Sequence, residues 1–214
     1  MPVNVLKASK ARLAPILDSS SRVQLSVAML SDLLAALRKV RRIHRVTVVS
    51  ADSAVQRIVR PLGTVFLWEG KRRGLNKGVR LAIRESERRG ATAVLVIHAD
   101  IPLVAASDIL QFLNDSKRDA VALTPSKDGH GTNALLLRPP NVIRPAFGKN
   151  SFRKHLSLAR QRNLSRKVVL SKAIGFDVDV PSDLKRLMRY SLRNETGRFL
   201  RAMKQDVDMR QKGS

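Results

Sequence analysis

Asp100 lies in the run Ala99-Asp100-Ile101-Pro102-Leu103, which follows five apolar residues, Ala93-Val94-Leu95-Val96-Ile97, after the single residue His98. The apolar run reads as a buried strand of the parallel type, and the proline bars its continuation. Ligands of open α/β sheets bind outside the carboxyl ends of the strands. A carboxylate there is placed to hold a divalent cation against phosphate oxygens; its competing role is to cap the next helix. A second acidic pair stands far along the chain, in Phe176-Asp177-Val178-Asp179-Val180-Pro181. Strand alternation puts Asp177 and Asp179 on one side. Asp179, nearer the strand end, is the expected metal ligand beside Asp100, with capping of the last helix as the alternative. Magnesium takes few carboxylates plus phosphate oxygens, so two aspartates from remote strand ends suffice, and Mg²⁺ is the expected cofactor.

Four further stretches carry groups suited to anions. Lys7-Ala8-Ser9-Lys10-Ala11-Arg12-Leu13 follows the first expected strand. Lys10 as a point charge and Arg12 as a bidentate fork suit triphosphate oxygens. The stretch lacks the glycines of a Walker or dinucleotide loop, and a solvated basic loop is the alternative. Gly74-Leu75-Asn76 opens a helix whose free amides and positive dipole end favour an anion; Asn76 either caps that helix or reads a base or ribose. Ser50, at the end of its strand, is grouped with these nucleotide-binding residues. Asp128-Gly129-His130-Gly131-Thr132-Asn133 suits close backbone approach to a ligand, or a plain hairpin turn. In Phe147-Gly148-Lys149-Asn150-Ser151, Ser151 is an expected N-cap, and Gly148 with Ser151 forms an expected pocket for phosphate or carboxylate.

The elements that must position these groups alternate strand and helix. Strands are expected at 3–6, 46–49, 64–67, 93–97, 120–124, 133–137, 168–170 and 175–178. Helices are expected at 22–39, capped from Ser19–Ser21, from Asp52 or Ser53 to about Leu62, at 76–89, 107–114 and 151–162, and from Pro181 onward. This pattern predicts an α/β fold: a single-domain, Rossmann-like, mixed but mainly parallel sheet with helices on both faces. Residues 1–190 form the expected catalytic domain and 191–214 a basic C-terminal helix or tail, its periodicity lost after Met203 and its end expected to fray.

Composition bounds the function. The chain has 214 residues, 43% of them hydrophobic, and no cysteine, which rules out disulfides and thiolate metal sites. The four histidines are scattered without ligand spacing. No apolar run approaches a membrane span, and the first residues do not read as a signal peptide, so a cytoplasmic enzyme without membrane partners is expected. Forty-one Lys and Arg against seventeen Asp and Glu give a net charge of +24. Between Asp128 and Asp177 there is no acidic residue at all, so part of that region is expected to face an anion. Nonspecific nucleic-acid binding follows from such charge, but few aromatics are available for stacking.

Taken in order, Lys10-Ala11-Arg12-Leu13, Gly74-Leu75-Asn76, Ala99-Asp100-Ile101-Pro102-Leu103, Gly131-Thr132-Asn133-Ala134-Leu135, Phe147-Gly148 with Ser151, and Asp177-Val178-Asp179-Val180-Pro181 resemble the 2-phospho-L-lactate guanylyltransferases of coenzyme F-420 biosynthesis. The resemblance covers about residues 1 to 190 and implies the nucleotide-diphospho-sugar transferase type of fold. It implies attack of a phosphorylated three-carbon acid on the α-phosphorus of GTP, with loss of pyrophosphate. The acceptor would be 2-phospho-L-lactate first, with phosphoenolpyruvate or 3-phosphoglycerate open. By the same resemblance Asp100 and Asp179 hold the metal, Lys10, Arg12 and Asn76 serve GTP, and Thr132, Gly148 and Ser151 hold the phosphoacid, with Asn133 beside them. Lys10, Arg12, Asp100 and Asp179 are the expected catalytic group. His98 departs from the family, which carries proline there. A homodimer and handover of a labile product to the downstream deazaflavin transferase are open expectations. Another acceptor, such as molybdopterin or a sugar phosphate, and a basic nucleic-acid-binding protein are the alternatives.

Overall fold

The computed structural model describes residues 1–3, 5–6, 9–70 and 74–212, with backbone alone for 206–212. Asn4 of the first expected strand, Lys7 and Ala8 of the basic loop, and residues 71–73 lie outside the described residues.

Helix α1 (Ser19–Arg38) is followed by strand β1 (Thr47–Ser50), helix α2 (Ser53–Val59), strand β2 (Val65–Trp68), helix α3 (Leu75–Arg88) and strand β3 (Val94–Ile97). Next come α4 (Ala106–Asp115), the hairpin β4 (Val121–Pro125) and β5 (Thr132–Leu137), α5 (Ser151–Gln161), β6 (Arg166–Val168), and helices α6 (Lys172–Gly175), α7 (Pro181–Leu187) and α8 (Glu195–Lys212). β1 and β2 pair in parallel, and β3-β5-β4-β6 form a four-stranded mixed sheet. The α/β class and mixed pairing agree with the sequence. The apolar β3, expected among parallel neighbours, instead lies antiparallel to β5, which also runs antiparallel to β4.

Side-chain alternation builds a core on each face of the sheet. Ile97, Ala122, Ala134 and Leu136 join residues of α1, α2 and α4 in one cluster. Val96, Val121, Leu123, Leu135 and Leu137 pack with Val79 and Ile83 of α3 and Ala159 of α5 in a second. A third joins Leu25 and Met29 of α1, Leu184 and Leu187 of α7, and Leu200 of α8.

Three local expectations are corrected. Among the described residues, 3–6 form no strand: Pro2 makes one isolated parallel bridge to Val49, and the Leu6 amide donates instead to the Asp52 carboxylate. The segment 175–178 is not a strand either; α6 ends in it, and an extended stretch follows in which the Val178 amide donates to the Asp100 carbonyl at 3.0 Å. The C-terminal segment does not lose its helix after Met203. α8 continues to Lys212, and its first amides, Glu195 and Thr196, donate to the Asp32 carboxylate of α1.

Candidate active site

The carboxyl ends of β1, β2 and β3 open on one cavity of about 410 Å³, a volume typical of small-molecule sites. Lys10, Arg12, Val49, Glu69, Gly74, Gly78, His98, Asp100 and Asp179 are among its lining residues. A larger cavity of about 820 Å³ opens near the start of β1 and along β3, beside Arg41, Arg45 and Arg138. Among the described residues no carboxylate lines it, whereas Glu69, Asp100 and Asp179 line the smaller cavity, which is the candidate site.

Asp100 follows β3 by three residues, as the apolar run requires, and does not cap a helix. α4 begins six residues later, where Asp108 accepts from the Ala105 amide. Asp179 is equally free of capping duty: Asp183 reaches back to accept from the amides of Asp179 and Val180, at 2.8 and 2.9 Å. With Val178 tied to the Asp100 carbonyl, the two carboxylates meet. Lys10 Nζ donates to Asp100 Oδ2 at 2.7 Å and to Asp179 Oδ1 at 2.9 Å.

Lys10 is held there by an unusual backbone. Its φ of 53° and ψ of 37° place a non-glycine residue in the left-handed region at the N-cap of the turn Ala11–Leu13. Such conformations cost about 1 kcal/mol or more and collect at functional sites. The side chain is only 8% exposed. Burial alone would lower its pKa, but Asp100 and Asp179 more than reverse this and raise it. Burial likewise pushes the Asp100 carboxyl up, and the Lys10 ammonium, with His98, outweighs it and holds the group at about 2. The site is therefore a triad in which the Lys10 ammonium lies between Asp100 and Asp179, with Asp100 ionised at neutral pH.

The triad is not self-sufficient. Among the described residues, Asp100 Oδ1, His98 Nε2 and Glu69 Oε1 are buried without a hydrogen-bond partner, and all three residues line this cavity. Unpaired buried polar atoms are costly and rare, and three around one cavity mark a place that a polar ligand completes. The Lys10 ammonium already occupies the position of a cation between the two aspartates. Two carboxylates with one oxygen unpaired suit a hard divalent ion that takes its other ligands from phosphate and water. Among the described residues there is no cluster of three acidic or histidine side chains that would hold a metal unaided.

Arg12 lies on the cavity wall on an exposed turn. Gly74, with φ of 86°, is the N-cap of α3 and supplies no side-chain cap. Ser50 does not reach the cavity. It is fully buried, and its hydroxyl accepts from the Asp52 amide. Asn76 does not cap α3 and is not among the cavity-lining residues: its side-chain amide donates to the Phe147 carbonyl at 2.9 Å and accepts from the Phe147 amide at 2.7 Å. It ties the start of α3 to the Gly148 loop.

The expected phosphoacid residues form a neighbouring group. Thr132 and Ser151 are each 2% exposed, and the Ser151 hydroxyl donates to Thr132 Oγ1 at 3.3 Å. Ser151 is the first residue of α5, not its cap; Asn150, with φ of 57°, holds that place. His155, one turn along, accepts the Ala146 amide at Nε2. Its Nδ1 therefore carries the proton of the neutral ring and donates to Thr132 Oγ1, 3.1 Å away. Burial, with His98 and Lys154 adding to it, lowers the His155 pKa to about 4 and keeps the ring neutral. Asn133 is committed elsewhere: its amide donates to the carbonyls of Ile174 and Gly175, steadying the segment that carries Asp179. Asp177 is turned from the triad toward Lys127, whose ammonium donates to the Asp177 carbonyl and to Asp183.

Glu69, His155 and Lys127 went unread in the sequence. Glu69 gave the clearest signal, since it follows the last residue of a strand as Asp100 nearly does.

A family described as guanylyl transferase CofC like matches residues 1–214. The chain belongs to this family, and with it to the nucleotidyltransferases. It is 37% identical to a phosphoenolpyruvate guanylyltransferase of Sphaerobacter thermophilus over 87% of this chain and 90% of that one. It is 34% identical to a 2-phospho-L-lactate guanylyltransferase of Methanothermobacter thermautotrophicus over 95% and 89%. Among solved structures, a Desulfovibrio desulfuricans G20 protein described as a nucleotide-diphospho-sugar transferase superposes with a TM-score of 0.78 at 20% identity, covering 98% and 95%. A CMP:2-keto-3-deoxy-manno-octonic acid synthetase complexed with CTP superposes at 0.56 and 14% identity, covering 87% and 94%. These two carry the fold. Among the described residues no helix is long and apolar enough to cross a membrane.

Proposed function

We propose that this chain transfers guanylate from GTP to a phosphorylated three-carbon acid, 2-phospho-L-lactate or phosphoenolpyruvate, releasing pyrophosphate in coenzyme F-420 biosynthesis. The observation that carries it is Lys10 Nζ bridging Asp100 and Asp179 on the wall of a cavity of about 410 Å³. The acceptor names of the relatives divide between the two acids. Neither another acceptor nor nucleic acid is favoured by them.

The acceptor's own phosphate is an ionised nucleophile at neutral pH, so the protein need not supply a base. What it must supply is orientation and charge. Lys10 and Arg12 offset the negative charge of the triphosphate. Asp100 and Asp179 would hold Mg²⁺, which when bound neutralises phosphate charge and polarises the phosphorus–oxygen bonds. The Thr132 hydroxyl, accepting from His155 and Ser151, has its own proton free to donate to an acceptor oxygen, and the exposed Gly148 loop lies beside it.

The test is incubation of the purified protein with GTP, Mg²⁺ and each acid in turn. Pyrophosphate release with at least one acid, and a guanylated acid by mass spectrometry, is expected. Folded protein that releases none with any acid contradicts the proposal.

A further inference from the structure

Three of the five buried polar atoms without a partner among the described residues lie on the candidate active site. The Asp100 oxygen is accounted for by the cation site. Glu69 is not used by anything described so far.

Glu69 is fixed at the carboxyl end of β2, where its amide donates to the Ser50 carbonyl at 3.0 Å and extends the β1–β2 ladder by one residue. Its side chain turns against α3. A Cβ on Gly78 would stand 3.2 Å from Glu69 Oε1 and 2.9 Å from Val49 Cγ1, so glycine at this helical position makes the room that the carboxylate occupies. Pro2, Val3, Val49 and Leu75 supply apolar surface in the same cavity. Among the described residues Glu69 Oε1 is buried without a partner, and a donor brought into this cavity by a ligand would offset that cost. Among the described residues lining this cavity, Lys10 is ion-paired to Asp100 and Asp179, not to Glu69.

We propose that Glu69 reads the base of the nucleotide: its carboxylate accepts hydrogen bonds from N1–H and the exocyclic 2-amino group of guanine. This rests on the guanylyltransferase reading and names the residue that makes the site selective. Guanine presents those two donors side by side, matching the two oxygens of one carboxylate. Adenine presents a lone pair at N1, which would face the carboxylate and leave it unpaired. Hypoxanthine keeps N1–H but lacks the 2-amino donor. Sites built around a buried hydrogen-bonding group reject analogues that leave it unpaired.

The experiment measures binding of GTP, ITP and ATP with Mg²⁺ by calorimetry, and their turnover, in wild type, Glu69→Gln and Glu69→Asp. Wild type is expected to bind GTP about 10- to 100-fold more tightly than ITP, the worth of one hydrogen bond to a charged group, and ATP more weakly still. In Glu69→Gln the GTP to ITP ratio falls to within about threefold, because the amide offers one acceptor and a donor that faces the base. Glu69→Asp, shorter by a methylene, retains the charge and loses the same preference, so a folding defect in one variant leaves the other to decide. A wild-type GTP to ITP ratio retained in either folded variant overturns the proposal, as does a wild type that binds both equally. Preferential GTP binding that depends on Glu69, without turnover with any acid, would sustain this inference and defeat the guanylyltransferase reading. Turnover with unchanged selectivity would do the reverse.

Discussion

Asn76, in the first turn of α3, grips the backbone of Phe147 through two hydrogen bonds of 2.7 and 2.9 Å. The residues are 71 apart in sequence. The clasp joins the start of α3, which borders the candidate active-site cavity, to the loop that carries Gly148. Asn76→Ala removes both bonds and leaves a Phe147 amide and carbonyl without those partners, costing about 2 kcal/mol of stability. The predicted kinetic result is a KM for the phosphoacid raised about tenfold, with a smaller change in the KM for GTP, read from initial rates with each substrate varied.

Lys10→Ala removes the group between two carboxylates. Catalysis is expected to fall by about 10²–10³ in kcat/KM, the loss found when one preorganised charge partner is deleted. Lys10→Arg restores the charge but not the compact ammonium that fits between the two aspartates, and is expected to recover less than a tenth of the activity. Steady-state pyrophosphate release checks both.

Thr132→Val keeps the volume of a fully buried side chain and deletes its hydroxyl. It leaves His155 Nδ1 and the Ser151 hydroxyl without their acceptor. With the proposed Thr132 contact to the acid acting in the ground state, the KM for the phosphoacid is predicted to rise 10- to 100-fold at near-constant kcat.

Acid sensitivity follows from His155. Its folded pKa, about 4, lies below the 6.5 of a free histidine. Below pH 6.5 the unfolded chain takes up a proton that the folded chain refuses, so stability falls as pH drops from 6.5 toward 4. The contribution is on the order of 3 kcal/mol, and the buried His98 shifts in the same sense. Asp100 adds to this at lower pH: its stabilisation is present above 3.8 and is lost as pH falls toward 2. Melting temperatures of His155→Asn between pH 4 and 7 should show a shallower slope than wild type.

Asp32→Ala uncaps α8 by freeing the Glu195 and Thr196 amides. A loss of about 1 kcal/mol is expected, with faster amide exchange in α8 and turnover unchanged, since none of these residues lines the cavity.

The sequence was most legible where one local signal settled one outcome. The apolar run before Asp100 placed a carboxylate at a strand end whichever way the neighbouring strand ran, so the antiparallel β5 did no harm to that expectation. Pairing direction is decided by remote residues and leaves little trace in β3 itself. Asn76 and Asn133 were read as ligand-facing because their amides suit ligands; both are spent on backbone groups 71 and 41 residues away, which no local pattern reveals. Ser50 was read from its place at a strand end, but strand alternation turned it into the core. α8 was obscured by its charge: Thr196, Leu200 and Met203 lie on one face, and the charged residues between them dilute the period.

The central claim is that Asp100 and Asp179 form one site around a shared cation. A double-mutant cycle on pyrophosphate release, with Asp100→Asn, Asp179→Asn and both together, tests it most directly. Each single change is expected to lower kcat/KM by about 10²–10³, and the double variant to lose little more than either, because the first substitution already dismantles the site. Losses that simply multiply would show two independent carboxylates and contradict the claim.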